Sequence, residues 1–327
     1  MSELNYQHRK TQGGIIFDSY THSDKKDDVA YVLLAGLNVD FNLIFTTDTI
    51  KEDERLLQNP NIKDSYLGKF PVNLADMSKR DVFVVYQPAM SLKPNRTGFY
   101  SEKTSLKQLE TALELTTSYD NVYPITHSLS TVVGTDALLN EVSQNLTKKL
   151  LPGTISSVFT NAKDALTTEK GKSRKLAGVF PWYFGFKAAE YFVPSFFPFA
   201  LPIYPLAAQQ IHDGGKLSTE KHPHWGASKM INPATAKYVM KVDTSAKAQG
   251  KLLGMHMAKK PLFLITTEDR IFDAQKQEQI ANQFRADKVF AESGHRWFTL
   301  PDNDLNELTE KIISHQKGSL EERLIFF

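Results

Sequence analysis

Cysteine is absent from this 327-residue chain. The absence excludes disulfide bonds, thiolate metal sites and a cysteine nucleophile, although it says little about the cellular compartment. The chain also lacks a large excess of positive or negative charge, because it has 39 lysine and arginine residues and 37 aspartate and glutamate residues. The resulting net charge of +2 gives no reason to expect a nucleic acid or another strongly charged partner.

Long uninterrupted apolar runs are missing as well. Residues 1–10 are polar, which predicts that the chain carries no cleavable signal peptide. Residues 180–204 are rich in aromatic side chains, but several prolines together with Lys187 and Glu190 interrupt them. A membrane-spanning helix needs about 20 consecutive apolar residues. We therefore expect a cytoplasmic protein without a transmembrane segment.

The apolar residues that are present form short runs, separated by segments with a helical period. Val, Leu and Phe dominate these runs, as is typical of strands that a parallel sheet buries on both faces. The predicted strands are residues 14–20, 31–35, 81–86, 122–125, 155–159, 261–265 and 288–290, and the predicted helices are residues 105–119, 130–146 and 275–284. This alternation predicts an α/β fold with a mostly parallel central sheet flanked by helices.

The alternation stops between residues 161 and 255, where an aromatic-rich segment follows a lysine-rich one. We interpret residues 1–160 and 256–327 as the core and residues 161–255 as an inserted cap or lid. Aromatic side chains bury a large area with few rotatable bonds, which suits a pocket for an acyl chain or a surface for peripheral membrane contact. The candidate pocket residues are Phe184, Phe192, Phe196 and Phe197. The same residues would serve equally well as the ordinary core of the cap.

Three residues that could form a catalytic triad each follow a predicted strand. Ser128 precedes a helix-like segment, Asp269 follows residues 261–265, and His295 follows Gly294 after the last strand. A serine hydroxyl is a weak nucleophile until a base takes its proton, and a carboxylate must hold that base in the right tautomer. The chain order serine, acid, histidine is typical of α/β-hydrolases among the serine-triad folds.

Each of the three positions has another interpretation. Ser128 would also suit the N-cap of the following helix, and His295 would suit a solvated loop. Glu268 and Asp273 compete for the role of the acid. We prefer Asp269 because it is close to the strand end, whereas Glu268 suits a solvated turn and Asp273 the N-cap of the helix at residues 275–284.

An oxyanion site needs two backbone N–H donors, one after the nucleophile and one after an earlier strand. Leu129 and Leu37 are the expected donors, and Gly36 would let the chain turn close to the site. The pair His222 and His224 has no carboxylate at ligand spacing, so we expect neither a metal nor a cofactor.

These motifs resemble the α/β-hydrolase superfamily, and within it the serine-aminopeptidase-like group of monoacylglycerol lipases and bacterial lysophospholipases. That group has Gly or Ala, His, Ser, Met and Gly at the nucleophile, where this chain has residues 126–130. Its oxyanion loop has His-Gly, matched here by Ala35 and Gly36 without the histidine. Residues 269–273 match its acid motif and Gly294-His295 its base motif. The resemblance covers about residues 30–160 and 256–300.

The resemblance implies a serine hydrolase of carboxylic esters, with an apolar acyl group on a small-molecule or lipid substrate and no cofactor. Thr126 and Ser130 stand where the family has small residues, mostly glycine, and β-branched Thr resists a tight approach. The alternative is therefore a weakly active or inactive protein of this fold, which binds an apolar ligand or a partner through its cap. Within the enzyme class, thioesters and amides remain open as substrates.

Overall fold

The computed structural model describes residues 4–11, 15–22, 28–36, 69–86, 102–128, 130–131, 150–158, 201–202, 230–231, 260–269, 272–295 and 297–325. Eight strands form one sheet, namely β1 (Leu4–Lys10), β2 (Ile16–His22), β3 (Val29–Leu34), β4 (Val82–Val85), β5 (Asn121–His127), β6 (Thr154–Ser156), β9 (Leu262–Thr266) and β10 (Asp287–Ala291). Two further strands, β7 (Leu201–Pro202) and β8 (Met230–Ile231), pair with each other.

The strand order of the main sheet is β1-β2-β4-β3-β5-β6-β9-β10. The first two strands form an antiparallel pair, β2 is also antiparallel to β4, and all the remaining pairs are parallel. The prediction of a mostly parallel sheet is thus confirmed. Strand β1 was not predicted, because the segment is polar overall, although its Leu4 and Tyr6 pack against the core.

Helices cover both faces of the sheet. The described helices are α1 (Lys69–Ser78), α2 (Glu102–Leu115), α3 (Ala274–Gln283), a short 3-10 helix (Trp297–Thr299) and α4 (Asp302–Ile325). The buried residues of β4 alternate between two clusters, with Val82 and Val84 packing on the α1 and α4 side and Phe83 and Val85 on the α2 side. Helix α3 packs on the β6 and β9 part of the sheet. This two-sided burial explains why the strand sequences are continuously apolar.

Pro124 lies inside the central strand β5 although it has no backbone N–H to donate. Pairing of β5 with β6 begins only at Ile125, opposite Thr154. Gly153 adjoins the proline with a φ of 73°, and a side chain there would place its Cβ 2.3 Å from the Pro124 carbonyl oxygen. A glycine is therefore required beside the proline, because only glycine allows both this φ and this approach.

The parallel strands β3, β5, β9 and β10 all end at the same edge of the sheet. Gly36, Ser128, Asp269 and His295 follow these four strand ends. The predicted cap lies outside the described residues apart from β7 and β8, so its boundaries stay a prediction. No helix in the described part of the chain is both long and apolar enough to cross a membrane.

Candidate active site

Ser128 lies on a sharp turn immediately after β5. Its φ is 57°, in the left-handed region that non-glycine residues rarely adopt. The Ser128 N–H donates to the Ser156 carbonyl oxygen at 3.2 Å, and the Ser128 carbonyl oxygen accepts from the Thr131 N–H at 3.0 Å. This geometry ends the strand, starts a helical turn and presents the serine hydroxyl at the edge of the sheet.

Two residues with hydroxyl side chains, Thr126 and Ser130, flank Ser128 two positions away on either side. The Ser130 hydroxyl donates to the Leu34 carbonyl oxygen and accepts from the His127 N–H at 2.9 Å. The Thr126 carbonyl oxygen accepts from the Ser156 hydroxyl at 2.8 Å. Hydrogen bonds therefore connect the turn to both β3 and β6. The two departures from glycine fit the turn, because Thr126 and Ser130 are fully packed within it.

The structure brings the side chains of Ser128, His295 and Asp269 into one hydrogen-bonded line. The Ser128 hydroxyl lies 3.0 Å from His295 Nε2, and His295 Nδ1 lies 3.0 Å from Asp269 Oδ2. All three residues are buried, and Asp269 is 1% exposed. The carboxylate can only accept, so Nδ1 carries the proton and Nε2 of the neutral ring is free to accept the serine proton.

The segment between β9 and α3, which we call the acid loop, contains Asp269 and both of the competing carboxylates, Glu268 and Asp273. Asp269 is the one that contacts His295. Asp269 Oδ1 accepts from the Phe272 N–H at 3.0 Å, and Oδ2 accepts from the Thr266 hydroxyl at 3.1 Å. Glu268 is exposed. Asp273 is the N-cap of α3 and accepts from two N–H groups of its first turn, which confirms that predicted role.

The backbone of His295 is also anchored. Its carbonyl oxygen accepts from His127 Nε2 at 2.8 Å and from the Ser157 hydroxyl at 3.2 Å. The rings of His127 and His295 are 4.8 Å apart, and the Phe272 ring meets His295 edge-on at 5.1 Å. These contacts restrict His295 to a narrow range of positions between Ser128 and Asp269.

Ala35 and Gly36, which follow β3 and begin the predicted oxyanion loop, lie directly beside Ser128. A Cβ added at Gly36 would lie 2.7 Å from the His127 carbonyl oxygen and 2.7 Å from Ser128 Cβ, so no larger residue fits. Gln108 of α2 donates through Nε2 to the Ala35 carbonyl oxygen at 3.1 Å and to the Val85 carbonyl oxygen at 2.7 Å. This buried side chain therefore fixes the start of the loop.

Several predicted site residues lie outside the described residues. These are the expected oxyanion donors Leu37 and Leu129, the cap residues Phe184, Phe192, Phe196 and Phe197, and the pair His222 and His224. Within the described ranges, no group of three or more His, Asp or Glu side chains could hold a metal ion.

Four polar residues around Ser128, His295 and Asp269 were not predicted from the sequence, namely Gln108, Ser157, Thr266 and Gln277. All four are fully buried. Gln108 precedes Leu109 on a face of α2 that packs against the sheet, so a glutamine on an apolar helix face was the signal that could have revealed it.

No protein-family model and no curated protein matches the chain. Solved structures match it over almost its whole length. A hydrolase from Pseudomonas aeruginosa PA01 has 12% identity and a TM-score of 0.54, with 97% of this chain and 98% of that chain covered. The fold is that of the α/β-hydrolases.

Two other α/β-hydrolases show the same likeness. A soluble variant of monoglyceride lipase from Saccharomyces cerevisiae, solved with a substrate analogue, has 11% identity and a TM-score of 0.56, with 98% of this chain and 97% of that chain covered. An esterase from Pyrococcus furiosus has 9% identity and a TM-score of 0.52, with 98% and 91% covered. At such low identities the common property is the fold.

Proposed function

We propose that the protein is a serine hydrolase that cleaves carboxylic esters through an acyl-enzyme. The observation that carries the proposal is the continuous hydrogen-bonded line from Ser128 through His295 to Asp269. The three residues follow three different strands, and Ser128 has an unfavourable φ of 57° in this arrangement. Backbone strain of this kind costs on the order of 1–3 kcal/mol and clusters at functional sites.

The geometry supports a two-step reaction. His295 Nε2 takes the proton of the Ser128 hydroxyl as Oγ attacks the acyl carbonyl carbon, and the carbonyl oxygen becomes an oxyanion. Collapse of the intermediate breaks the ester C–O bond, and His295 gives its proton to the departing alcohol. A water molecule then repeats the sequence on the acyl-enzyme, which releases the carboxylic acid and restores Ser128. Asp269 orients His295 throughout and stabilises its protonated ring.

Backbone N–H groups would stabilise the oxyanion in both steps. We assign this role to Leu37 and Leu129, because Gly36 brings the oxyanion loop against Ser128 and Leu129 directly follows the nucleophile. Such donors act on charge that appears only in the transition state, so they accelerate the chemical step rather than substrate binding.

An apolar acyl group is the preferred substrate in this proposal. Its support comes from the aromatic residues Phe184, Phe192, Phe196 and Phe197 of the proposed cap, together with the monoglyceride lipase and the esterase of the same fold. A cap rich in phenylalanine would also suit peripheral contact with a lipid surface. Thr126 and Ser130 are the residues that suggest the alternative of a weakly active or inactive binding protein. Both residues pack into the turn, and Ser128 and His295 are within hydrogen-bond distance beside them, which favours the hydrolase.

A series of p-nitrophenyl esters from acetate to dodecanoate tests this function. Each methylene buried in the transition state contributes about 0.8 kcal/mol, so kcat/KM should rise roughly fourfold per carbon until the pocket ends. Ser128→Ala is the control and should abolish turnover. A flat profile would exclude the acyl pocket but would remain consistent with a serine hydrolase. No turnover of any ester by the wild type would contradict the proposed ester hydrolysis.

A further inference from the structure

Thr266, the last residue of β9, occupies the centre of a second hydrogen-bond network behind the triad. Its hydroxyl lies 3.1 Å from Asp269 Oδ2, which is the same oxygen that accepts from His295. Gln277 of α3 donates to Thr266 Oγ1 at 3.2 Å, and the Ser157 hydroxyl lies 3.3 Å away. Thr266, Gln277 and Ser157 are each 0% exposed, so solvent does not reach these groups.

The chemistry of these groups determines where the Thr266 proton lies. A threonine hydroxyl has one proton and two lone pairs. Gln277 directs its amide nitrogen at the Phe272 carbonyl oxygen as well, at 3.0 Å, and a carbonyl oxygen can only accept. The nitrogen end of the amide must therefore face Thr266, where it occupies a lone pair. Because the Asp269 carboxylate can only accept, the single proton of Thr266 is directed at it.

Gln277 joins the two ends of the acid loop. It reaches Thr266 at the start of the loop and Phe272 at its end, and the Phe272 N–H in turn donates to Asp269 Oδ1 at 3.0 Å. Both carboxylate oxygens of Asp269 are thus held by groups that Gln277 positions. A carboxylate with only one of its oxygens held could rotate away from His295, and this network prevents that rotation.

The arrangement at Gln277 also has a cost in stability. Within the part of the chain that the structure describes, Gln277 Oε1 is buried without a hydrogen-bond partner. A buried acceptor without a partner is destabilising, and this cost offsets part of what the hydrogen bonds of the amide nitrogen contribute to stability. What Gln277 contributes at this position is therefore the pair of groups that its nitrogen holds, Thr266 and the Phe272 carbonyl oxygen.

We infer that Thr266 and Gln277 are positioning residues, which orient Asp269 and through it the base His295. This inference rests on the proposed function, because it assigns the two residues a part in the same reaction. Neither residue touches the substrate. Their removal should therefore slow the chemical step and leave substrate binding nearly unchanged.

Matched substitutions separate positioning from packing. Thr266→Val keeps the shape and removes the hydroxyl, whereas Thr266→Ser keeps the hydroxyl and removes the methyl group. We expect Thr266→Val and Gln277→Met to lower kcat by about 10- to 100-fold with KM within about twofold, since small displacements of catalytic groups cost this much. Thr266→Ser should stay close to the wild type. Thr309→Val is the control, because it removes an equally buried hydroxyl from α4, away from the site.

Melting curves of the four variants show whether loss of stability explains loss of activity. Wild-type kcat in Thr266→Val would overturn the inference. An equal loss in Thr266→Ser would also overturn it, because packing rather than the hydroxyl would then be responsible.

A proton NMR measurement keeps the inference testable even if the wild type hydrolyses no ester. The proton on His295 Nδ1 reports directly on its hydrogen bond to Asp269. Its resonance should move in Thr266→Val and remain in place in Thr266→Ser and Thr309→Val. An unchanged resonance in Thr266→Val would overturn the positioning role, whereas an inactive wild type with a shifted resonance would contradict the proposed function alone.

Discussion

The acid loop and the oxyanion loop lie at the same edge of the sheet, but different groups fix their positions. In the acid loop, side-chain hydroxyl, amide and backbone N–H groups surround one carboxylate. In the oxyanion loop, the absence of a side chain at Gly36 is what allows the backbone to approach Ser128. A catalytic triad needs an oriented carboxylate on one side of the serine and closely placed backbone N–H groups on the other.

The two loops nevertheless share one feature, a buried glutamine that donates hydrogen bonds to the loop backbone. A buried glutamine reaches each of them from a helix, Gln108 from α2 and Gln277 from α3. Each directs its amide nitrogen at backbone carbonyl oxygens, and within the described residues each leaves Oε1 without a partner. A glutamine is long enough to reach a strand end from a helix, and its NH₂ group can donate two hydrogen bonds at once.

The largest effect should come from the acid loop. Asp269→Asn would place a neutral amide against His295 and favour the wrong tautomer, so kcat should fall on the order of 10⁴-fold. Asp273→Asn is the matched control, because Asn also serves well as an N-cap and should leave activity nearly unchanged. Ester turnover by the two variants is the measurement. A severe loss in Asp273→Asn with little loss in Asp269→Asn would reverse the assignment.

A smaller effect is expected on the oxyanion side. Gly36→Ala would force the loop away from Ser128, and displacement of one oxyanion donor costs about 10²- to 10³-fold in kcat. Gly318→Ala provides the control, since Gly318 lies in α4 with open space around it. That control should raise the free energy of unfolding by about 0.5–1 kcal/mol without changing activity. Full activity in Gly36→Ala would show that the loop does not supply a donor.

Gln108 allows a direct comparison with Gln277. Gln108→Met would remove the hydrogen bonds to Ala35 and Val85 and loosen the oxyanion loop, which we expect to lower kcat by about tenfold with little change in KM. The change removes a donor from two buried carbonyl oxygens but also removes Oε1, which has no partner in the described part of the chain, so the melting temperature should fall only modestly. Steady-state kinetics and a melting curve test both expectations. A large loss of stability with unchanged kcat would make Gln108 a structural residue only.

The smallest effect concerns the opposite end of β5. Burial raises the pKa of Tyr123, whose hydroxyl contacts Thr154 at 2.8 Å and His315 at 2.7 Å. The folded state therefore favours the neutral phenol, so its contribution is complete below a pH of about 10 and declines as the pH rises above it. Tyr123→Phe should lower the free energy of unfolding by about 1 kcal/mol at neutral pH.

The same variant should lose stability less steeply than the wild type above a pH of about 10, because it lacks the phenol that resists ionisation. Melting temperatures between neutral and alkaline pH provide the measurement, and activity at neutral pH should be retained. Parallel alkaline profiles for the variant and the wild type would contradict this role of Tyr123.

The sequence predicted the parts of the molecule that follow from local patterns. Buried strands such as β3 and β9 are continuously apolar, and a residue such as Asp273 at a helix start carries its own capping signal. Strand β1 could not be predicted from its polar composition, because it forms through backbone pairing with the neighbouring strand β2. The network of Thr266 and Gln277 was also invisible, since it depends on side chains that become neighbours only after folding.

Covalent labelling with a fluorophosphonate tests the central claim most directly, because the probe reacts only with an activated serine. Mass spectrometry of the labelled wild type should locate the phosphonate on the peptide that contains Ser128. Ser128→Ala should take no label while keeping the wild-type melting temperature, and Asp269→Asn should react far more slowly. A wild type that remains unlabelled, or a label that persists at the wild-type rate in Ser128→Ala, would contradict the account.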